Sequence, residues 1–196
     1  MSLDCSVFTR MVPDNLESLV LEELAIYGYD CEFHPESRLT SDIATLWVRV
    51  KRFPAIRCRV RPDVSLIFGF DYAYWPPGSS SSKREDEVAD FPHLFFLRTA
   101  MGRSDLSAAV QLMIGASLAR VTDSIYDSMG DFMSAIKAMN STLDIIRRKS
   151  LAHDVGATPF TGWPSLDPLK ESEFAFSDRI EDPSPKKRPW WKIWTD

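Results

Sequence analysis

Two short segments of this chain alternate strictly in hydropathy, and this alternation constrains the fold more than any other feature of the sequence. Residues 46–51 read LWVRVK and residues 56–61 read IRCRVR. Because successive side chains of a strand point to opposite faces, each segment predicts a β-strand with one apolar face and one largely basic face. The Phe53-Pro54 break between them predicts that the two strands form a hairpin whose apolar side packs inward.

Further segments predict three helices and the remaining strands. The first helix covers 14–27, where Asp14 and Glu17 have the spacing of a capping box and Gly28 provides the stop. The second begins after Ser104, and the third runs from about 131 to 149. Their apolar stripes are Leu16, Leu19, Val20, Leu24 and Tyr27; then Val110, Met113, Ile114, Leu118 and Val121; then Phe132, Ile136, Met139, Leu143 and Ile146. Apolar segments at 5–12, 29–33, 64–75 and 91–97 predict further strands.

These elements predict an α+β fold, with a mostly antiparallel sheet of about five strands and three helices packed on it. Residues 1–152 form a single domain in this interpretation. The Pro-, Ser- and charge-rich stretch 76–90 predicts a flexible loop that adds nothing to the core. Residues 153–196 predict an irregular tail that ends in the Trp-rich basic sequence KKRPWWKIWTD. The residues expected to lay this tail across the body are Phe160, Trp163, Leu166, Phe174 and Phe176.

Composition narrows the functional classes. The chain has 196 residues, 44% of them hydrophobic, which is too apolar for a disordered protein. Three cysteines at irregular positions do not form a disulfide framework, and no apolar run reaches the roughly 20 residues of a membrane span. We therefore expect a cytoplasmic protein in a reducing compartment.

The basic side of the predicted hairpin is a candidate anion-binding surface. Its cations are Arg49, Lys51, Arg57, Arg59 and Arg61. Cations on a sheet can hold a phosphate backbone, but the formal net charge of −5 argues against a nucleic acid. The alternative is a solvated outer face whose cations are paired with acids such as Glu22, Glu23 and Glu32, the first two lying on the outer side of the first helix.

No catalytic or cofactor-binding signature stands in the sequence. Cys31 and His34 have the spacing of one pair of metal ligands, whereas a structural zinc site usually shows two such pairs. His93, or His153 beside Asp154, would need a nucleophile and a carboxylate brought close by the fold. The sequence holds neither a nucleophile elbow nor a glycine-rich phosphate loop. We therefore expect no cofactor, no metal and no enzymatic activity.

The tail ends in a tryptophan cluster that is the main candidate for contact with another molecule. Trp190, Trp191 and Trp194 follow three cations at 186–188. The indole rings could cover the protein's own body, dock in a groove of a partner protein, or lie at a membrane surface beside their basic flanks. Acidic candidates for a partner-binding surface are Glu85, Asp86 and Glu87, together with the acids at 171–182.

Residues 118–135, LARVTDSIYDSMGDFMSA, carry a resemblance to small bacterial proteins of the toxin-neutralising (immunity) kind. The residues that match are Leu118, Ala119, Thr122, Ile125, Tyr126, Asp127 and Gly130, while Ser124 stands where that pattern often has Gly. The resemblance implies a small α+β protein without catalysis that sequesters a partner through its surface. We therefore expect a protein-binding module that neutralises a bacterial toxin by occluding its active site, and keep the anion-binding module as the alternative.

Overall fold

The structure, a computed structural model, describes residues 3–39, 43–54, 58–59, 64–74, 87–99, 105–128, 130–148, 151–152 and 158–166. The helices are α1 (Leu16–Ile26), α2 (Asp105–Val121) and α3 (Ala135–Arg148). The strands are β1 (Leu3–Thr9), β2 (Asp30–Phe33), β3 (Ile43–Arg52), β4 (Cys58–Arg59), β5 (Val64–Tyr74), β6 (His93–Thr99), β7 (Ile125–Ser128), β8 (Asp131–Ser134), β9 (Leu151–Ala152) and β10 (Thr158–Pro159). The α+β class predicted from the sequence is confirmed.

A single antiparallel sheet carries the fold. Its strands lie in the order β2-β3-β5-β6-β1-β7-β8, and β10 pairs with the first residues of β5. The seven strands exceed the five or so that the sequence predicts. The β7–β8 hairpin adds two: the sequence predicts only a brief extended piece at Ile125-Tyr126, and helical spacing assigns residues 131–134 of β8 to the third helix. The segment at 91–97 lies near the middle of the sheet, where β6 pairs with both β5 and β1.

The core lies between one face of this sheet and the three helices. Register places Val48 opposite Phe68, and Val7 opposite both Phe95 and Tyr126, and all five side chains are buried in one cluster with the helices. The central helix, α2, packs on β1, β6 and β7 and is flanked by α1 and α3. Because α2 has neighbours on three sides, twelve of its residues are buried, far more than the single stripe that periodicity predicts.

A glycine sets how closely α2 approaches the sheet. A Cβ atom at Gly115 would lie 3.0 Å from the Tyr126 ring and 3.2 Å from Cys5 Sγ. The buried Gln111, one turn earlier, donates a 2.9 Å hydrogen bond from Nε2 to the Leu97 carbonyl oxygen. Helix and sheet are thus joined by a polar contact inside a largely apolar interface, and this contact satisfies the buried amide nitrogen of Gln111.

The first helix ends as predicted but begins differently. Gly28 has φ of 83°, and the amides of Gly28 and Tyr29 bond to the carbonyls of Ala25 and Leu24, the two bonds of a Schellman motif. At the other end Asn15, not Asp14, occupies the N-cap position, and it makes no side-chain capping bond. The predicted capping box is therefore wrong, although the helix itself is confirmed.

The predicted hairpin of 46–50 with 56–60 is also wrong. Residues 46–50 do form a strand with Leu46, Val48 and Val50 buried, but β3 pairs with β2 and β5. Of the second segment, only Cys58–Arg59 is described as a strand, and it pairs in parallel with β9 in a separate two-stranded sheet. Alternation predicted the buried side of β3 but could not choose its neighbours.

Three smaller predictions are also wrong. Residues 131–134 form β8 rather than the first turn of α3, so Phe132 lies on the sheet and Ile136 is 71% exposed. Val88, within the stretch predicted to add nothing to the core, is buried.

Glu23, predicted on the outer side of the first helix, is buried with its Oε1 3.2 Å from Arg120 Nε. Arg120 also donates to the Tyr27 hydroxyl, so α2 supplies the cation that compensates this carboxylate.

Within the described ranges, no helix has the length and apolar character needed to cross a membrane.

Candidate partner-binding face

The sheet has a second side, the open face, which lies opposite the three helices. The residue pairs between neighbouring strands place two rows of side chains across this face. The first row contains Thr45, Asp71, Phe96, Ser6, Asp127 and Phe132, and the second contains Ala73, Leu94, Phe8, Ile125 and Ser134. The apolar members of both rows are partly buried and lie outside the helix-side core cluster. A sheet with an apolar second face is a candidate docking surface.

The apolar end of the open face lies on β6, β1, β7 and β8. Leu94, Phe8 and Ile125 are adjacent in the second row, and the Phe8 and Phe132 rings pack diagonally with centroids 6.0 Å apart. Asp127 lies in this patch, where its Oδ1 accepts the Gly130 amide at 2.8 Å. This end therefore combines apolar area with a carboxylate.

The charged end of the open face lies on β2, β3 and β5 and is internally paired. Arg49 Nη1 lies 2.9 Å from Glu32 Oε1, and the Arg49 Nε donates to the Ser65 hydroxyl at 3.3 Å. Lys51 Nζ lies 3.2 Å from Asp30 and 3.5 Å from Glu32. Cross-strand pairs of opposite charge stabilise a sheet, and here they neutralise two of its cations. The pKa of Lys51 is accordingly raised, chiefly by its hydrogen bond to Asp30.

The segment 158–166 packs on this charged end. The Phe160 ring lies 3.7 Å from the Arg49 guanidinium carbon, a cation–π contact, and also packs edge-on against Trp163. Trp163 in turn packs on the buried His34, at a centroid distance of 5.1 Å. Phe160 and Trp163, two of the five residues predicted to lay the tail across the body, make these contacts, whereas Phe174 and Phe176 lie outside the described residues.

The structure places the predicted binding residues unevenly. Arg49 and Lys51 share the charged end with their acidic partners. Arg59 lies on β4, which pairs with β9, whereas β3 pairs with β2 and β5. Glu87 is exposed beside the buried Val88. The remaining predicted residues, Arg57, Arg61, Glu85, Asp86, Trp190, Trp191 and Trp194, lie outside the described residues.

Neither Cys5 nor Cys31 has the environment of a reactive thiol. Burial raises the pKa of Cys5 to about 11 and that of Cys31 to about 12, so both thiols stay protonated at neutral pH. His34 Nδ1, which the sequence paired with Cys31, accepts the Glu36 amide at 3.0 Å instead. Across the part of the chain that the structure describes, no three side chains of His, Cys, Asp or Glu are grouped as metal ligands.

His93 lies on the helix side of the sheet, in an aromatic cluster at the ends of β5 and β6. Its Nδ1 is 2.8 Å from the Tyr72 hydroxyl, and the half-exposed Tyr74 packs on it with ring centroids 5.3 Å apart. Burial lowers the pKa of His93. The ring contacts described at this histidine are thus with two tyrosines of β5.

Sequence reasoning missed the apolar residues of the open face, although a signal was present. Residues 93–97 of β6 read HLFFL, and β1 contains the pair Val7 and Phe8. Consecutive apolar residues predict a strand that is covered on both faces, whereas strict alternation predicts one covered face. The strands at the apolar end therefore carried a second apolar side that was visible in the sequence.

Comparison with protein families, with curated proteins and with solved structures finds no match to this chain.

Proposed function

We propose that this chain is a non-enzymatic protein-binding module of the immunity kind, which neutralises a bacterial toxin in the cytoplasm by covering its active site. The observation that carries the proposal is the apolar end of the open face, with Leu94, Phe8, Ile125 and Phe132 on four neighbouring strands. Such a face suits a partner because the centre of a protein interface is apolar and its rim polar.

The charge of the molecule supports a basic partner. The formal net charge is −5, Asp127 stands within the apolar end, and Asp71 lies next to this end, opposite Phe96. Complementary charge accelerates the encounter of two proteins and excludes partners of like charge. A nuclease toxin needs a cationic site to hold nucleic acid, so an acidic protein that covers this site would both find and block it.

The residues at 118–135 add to this proposal. The segment that resembles toxin-neutralising proteins forms the end of α2 and the β7–β8 hairpin, and it supplies Ile125, Asp127 and Phe132 to the open face. The resemblance and the candidate surface therefore coincide.

The alternative, an anion-binding module, receives less support. Arg49 and Lys51 are engaged by Glu32 and Asp30, so an incoming phosphate would have to displace two carboxylates. The Phe160 ring also covers the Arg49 guanidinium. A free anion would compete poorly with these intramolecular partners.

Co-expression with the product of the neighbouring gene tests the proposed function. We expect that product to be toxic alone, to be tolerated with this chain present, and to copurify with it. Leu94→Asp places a charge in the apolar end and should reduce rescue and copurification at least tenfold. The matched control is Ile136→Asp, which changes an exposed apolar residue on the helix side and should leave both unchanged.

Two results would overturn the proposal. One is a neighbouring product that is harmless and forms no complex; the other is full rescue by a folded Leu94→Asp variant. Should Leu94→Asp fail to fold, as judged by circular dichroism, Phe132→Asp on the edge strand β8 provides the same test, because an edge position tolerates a charge better than a central one.

A further inference from the structure

We propose that the charged end of the open face is a binding site for an extended aromatic peptide, and that residues 158–166 of this chain are its resident occupant. These residues, here called the strap, read TPFTGWPSL and carry no charged side chain. The partner that fits the site is an uncharged segment of another protein with two aromatic rings three positions apart, as Phe160 and Trp163 are in the strap. Such a partner would take the place of the strap.

The strap meets the sheet in the way that a bound peptide does. Thr158 and Pro159 pair antiparallel with the first residues of β5. Phe160 then lies over the Arg49 guanidinium at 3.7 Å, and Trp163 packs edge-on against His34. When an extended peptide adds to a sheet, main-chain pairing provides affinity and the contacts of its side chains provide specificity. The strap makes both kinds of contact.

The groups that receive the two rings are held by contacts outside the strap. Arg49 is paired with Glu32 and bonded to the Ser65 hydroxyl. His34 accepts the Glu36 amide through Nδ1 and is buried. We therefore expect the guanidinium and the imidazole to keep their positions when the strap leaves. A site that is already organised loses little conformational entropy when a ligand binds.

The main-chain pairing of the strap is short. It covers two residues, and one of them, Pro159, has no N–H to donate. Segments held by few main-chain hydrogen bonds open at a low free-energy cost. The strap can therefore leave the sheet without unfolding the body, which makes its site available to a competing peptide.

A glycine shapes the strap between its two rings. Gly162 has φ of 153°, a conformation that side chains other than glycine rarely adopt, although a Cβ atom there would meet nothing within 4 Å. The rings of Phe160 and Trp163 lie on either side of it in sequence, with centroids 5.6 Å apart. Backbone conformation rather than space thus requires glycine here, and a partner segment should carry glycine before its second aromatic residue.

An NMR titration of the full chain tests the proposal. Phe160→Ala and Trp163→Ala together remove both rings from the site, and the probe is a synthetic peptide of residues 158–166. We expect saturable binding to this double variant, with the largest amide shifts around Arg49 and His34. The wild-type chain should bind the peptide about tenfold more weakly, because its own strap competes at an effective concentration in the millimolar range.

Three further substitutions test the contacts themselves. Arg49→Ala, added to the double variant, should weaken peptide binding about fivefold because it removes the cation–π contact. Arg147→Ala, which changes an exposed cation of α3, is the matched control and should leave binding unchanged. A peptide with alanine in place of Gly162 should bind about fivefold more weakly, because the bound backbone is strained for alanine.

A second variant covers a failure of the double variant to fold. Gly162→Ala in the full chain keeps both rings but strains the strap, so it should bind the unchanged peptide more tightly than the wild-type chain does. This variant leaves Arg49 and His34 untouched, and any gain in affinity therefore comes from the loosened strap.

Several results would overturn the proposal. These are no saturable binding to a folded variant, amide shifts confined to the helices, equal affinity of the wild-type chain and the loosened variants, or equal affinity after Arg49→Ala. Dimerisation of the wild-type chain that the double variant abolishes would also overturn it, because the strap would then serve a second copy. The titration contains no toxin and concerns the charged end, so its result is independent of the proposed function, which Leu94→Asp tests at the apolar end.

Discussion

The two ends of the open face differ in the contacts that their side chains make. At the charged end, Arg49 and Lys51 meet acids from β2, and Phe160 closes over the guanidinium. At the apolar end, the strands present side chains such as Phe8 and Leu94 to the same side of the sheet. One end is complete through pairs within the described chain, whereas the other has the composition of an interface.

This difference teaches that clustered cations and functional cations are not equivalent. A row of arginine and lysine in a sequence suggests an anion-binding site. Here acids on the neighbouring strand β2 pair with Arg49 and Lys51, so these cations stabilise the sheet. The apolar end has no comparable sequence motif, although it is the better candidate for recognition. A binding surface is thus better sought where partly exposed apolar side chains lie together on a face of the sheet, as Ile125 and Phe132 do.

The largest stability effect should come from the apolar end. We expect Phe8→Ala to lower the free energy of unfolding by about 2 kcal/mol, less than for a fully buried phenylalanine, because Phe8 loses its contact with Phe132 but is only partly buried. Urea denaturation followed by circular dichroism measures the effect. Ile136→Ala, the exposed control, should change the stability by no more than about 0.5 kcal/mol. Equal effects of the two variants would remove the distinction between apolar end and ordinary surface.

A smaller effect is expected at the charged end. Arg49→Ala removes the pair with Glu32, the bond to Ser65 and the contact with Phe160, and should cost about 1–2 kcal/mol in the same assay. Arg52→Ala is the matched control, because this neighbouring side chain is 78% exposed and its ion pair with Asp30 is long, at 3.9 Å. It should cost less than about 0.5 kcal/mol. A larger loss for Arg52→Ala than for Arg49→Ala would contradict the pairing described here.

The middle of the open face offers a third test, at Gly69. A Cβ atom there would lie 2.7 Å from the Trp47 ring, so Gly69→Ala must displace the indole and should destabilise the protein by about 1 kcal/mol. In a Trp47→Ala background the same substitution should cost nothing or stabilise slightly, since strand glycines weaken a sheet. A double-mutant cycle from denaturation curves checks this coupling, and additivity of the two changes would show that the ring does not cover Gly69.

The smallest effect concerns the helix side of the same strands, where His93 meets Tyr72. Burial lowers the pKa of His93 in the folded state, so the unfolded chain binds a proton more readily. Stability should therefore decrease as the pH falls below the ordinary histidine pKa of about 6.5, and His93→Gln should reduce this decrease. Denaturation midpoints at pH 7.5 and pH 5.5 measure it for both proteins. An unchanged pH dependence in the variant would mean that His93 titrates normally.

Much of the local structure was predictable because the residue pattern of each such segment fits only one kind of secondary structure. The first helix follows from its periodicity and the strand at 64–75 from its long apolar and aromatic run, and Gly28 ends the helix with the backbone conformation that glycine favours. The start of α3 was not predictable in this way. Phe132, Ile136 and Met139 have helical spacing, but residues 131–134 gain more from pairing with β7 than from extending the helix.

The candidate site was less predictable than the fold. Glu32 was considered as a partner of the basic strand, and it does neutralise Arg49. The apolar stripe of α1 leaves Glu23 off its face and so predicts it on the outer side, whereas in the structure it is buried and paired with Arg120 of α2. Pairing between distant elements decides which charges are available, and no local pattern contains that information.

The sequence by itself determined which side of most elements is buried, where the first helix ends, and that the class is α+β. These properties depend on side-chain period and on backbone preferences, which act within a few residues. Only the tertiary structure decided that β3 pairs with β5 rather than with Cys58–Arg59, and that the apolar residues of four strands lie side by side on the open face. Strand partners are chosen by the combined burial of the whole sheet, and this quantity exists only once all the elements are in place.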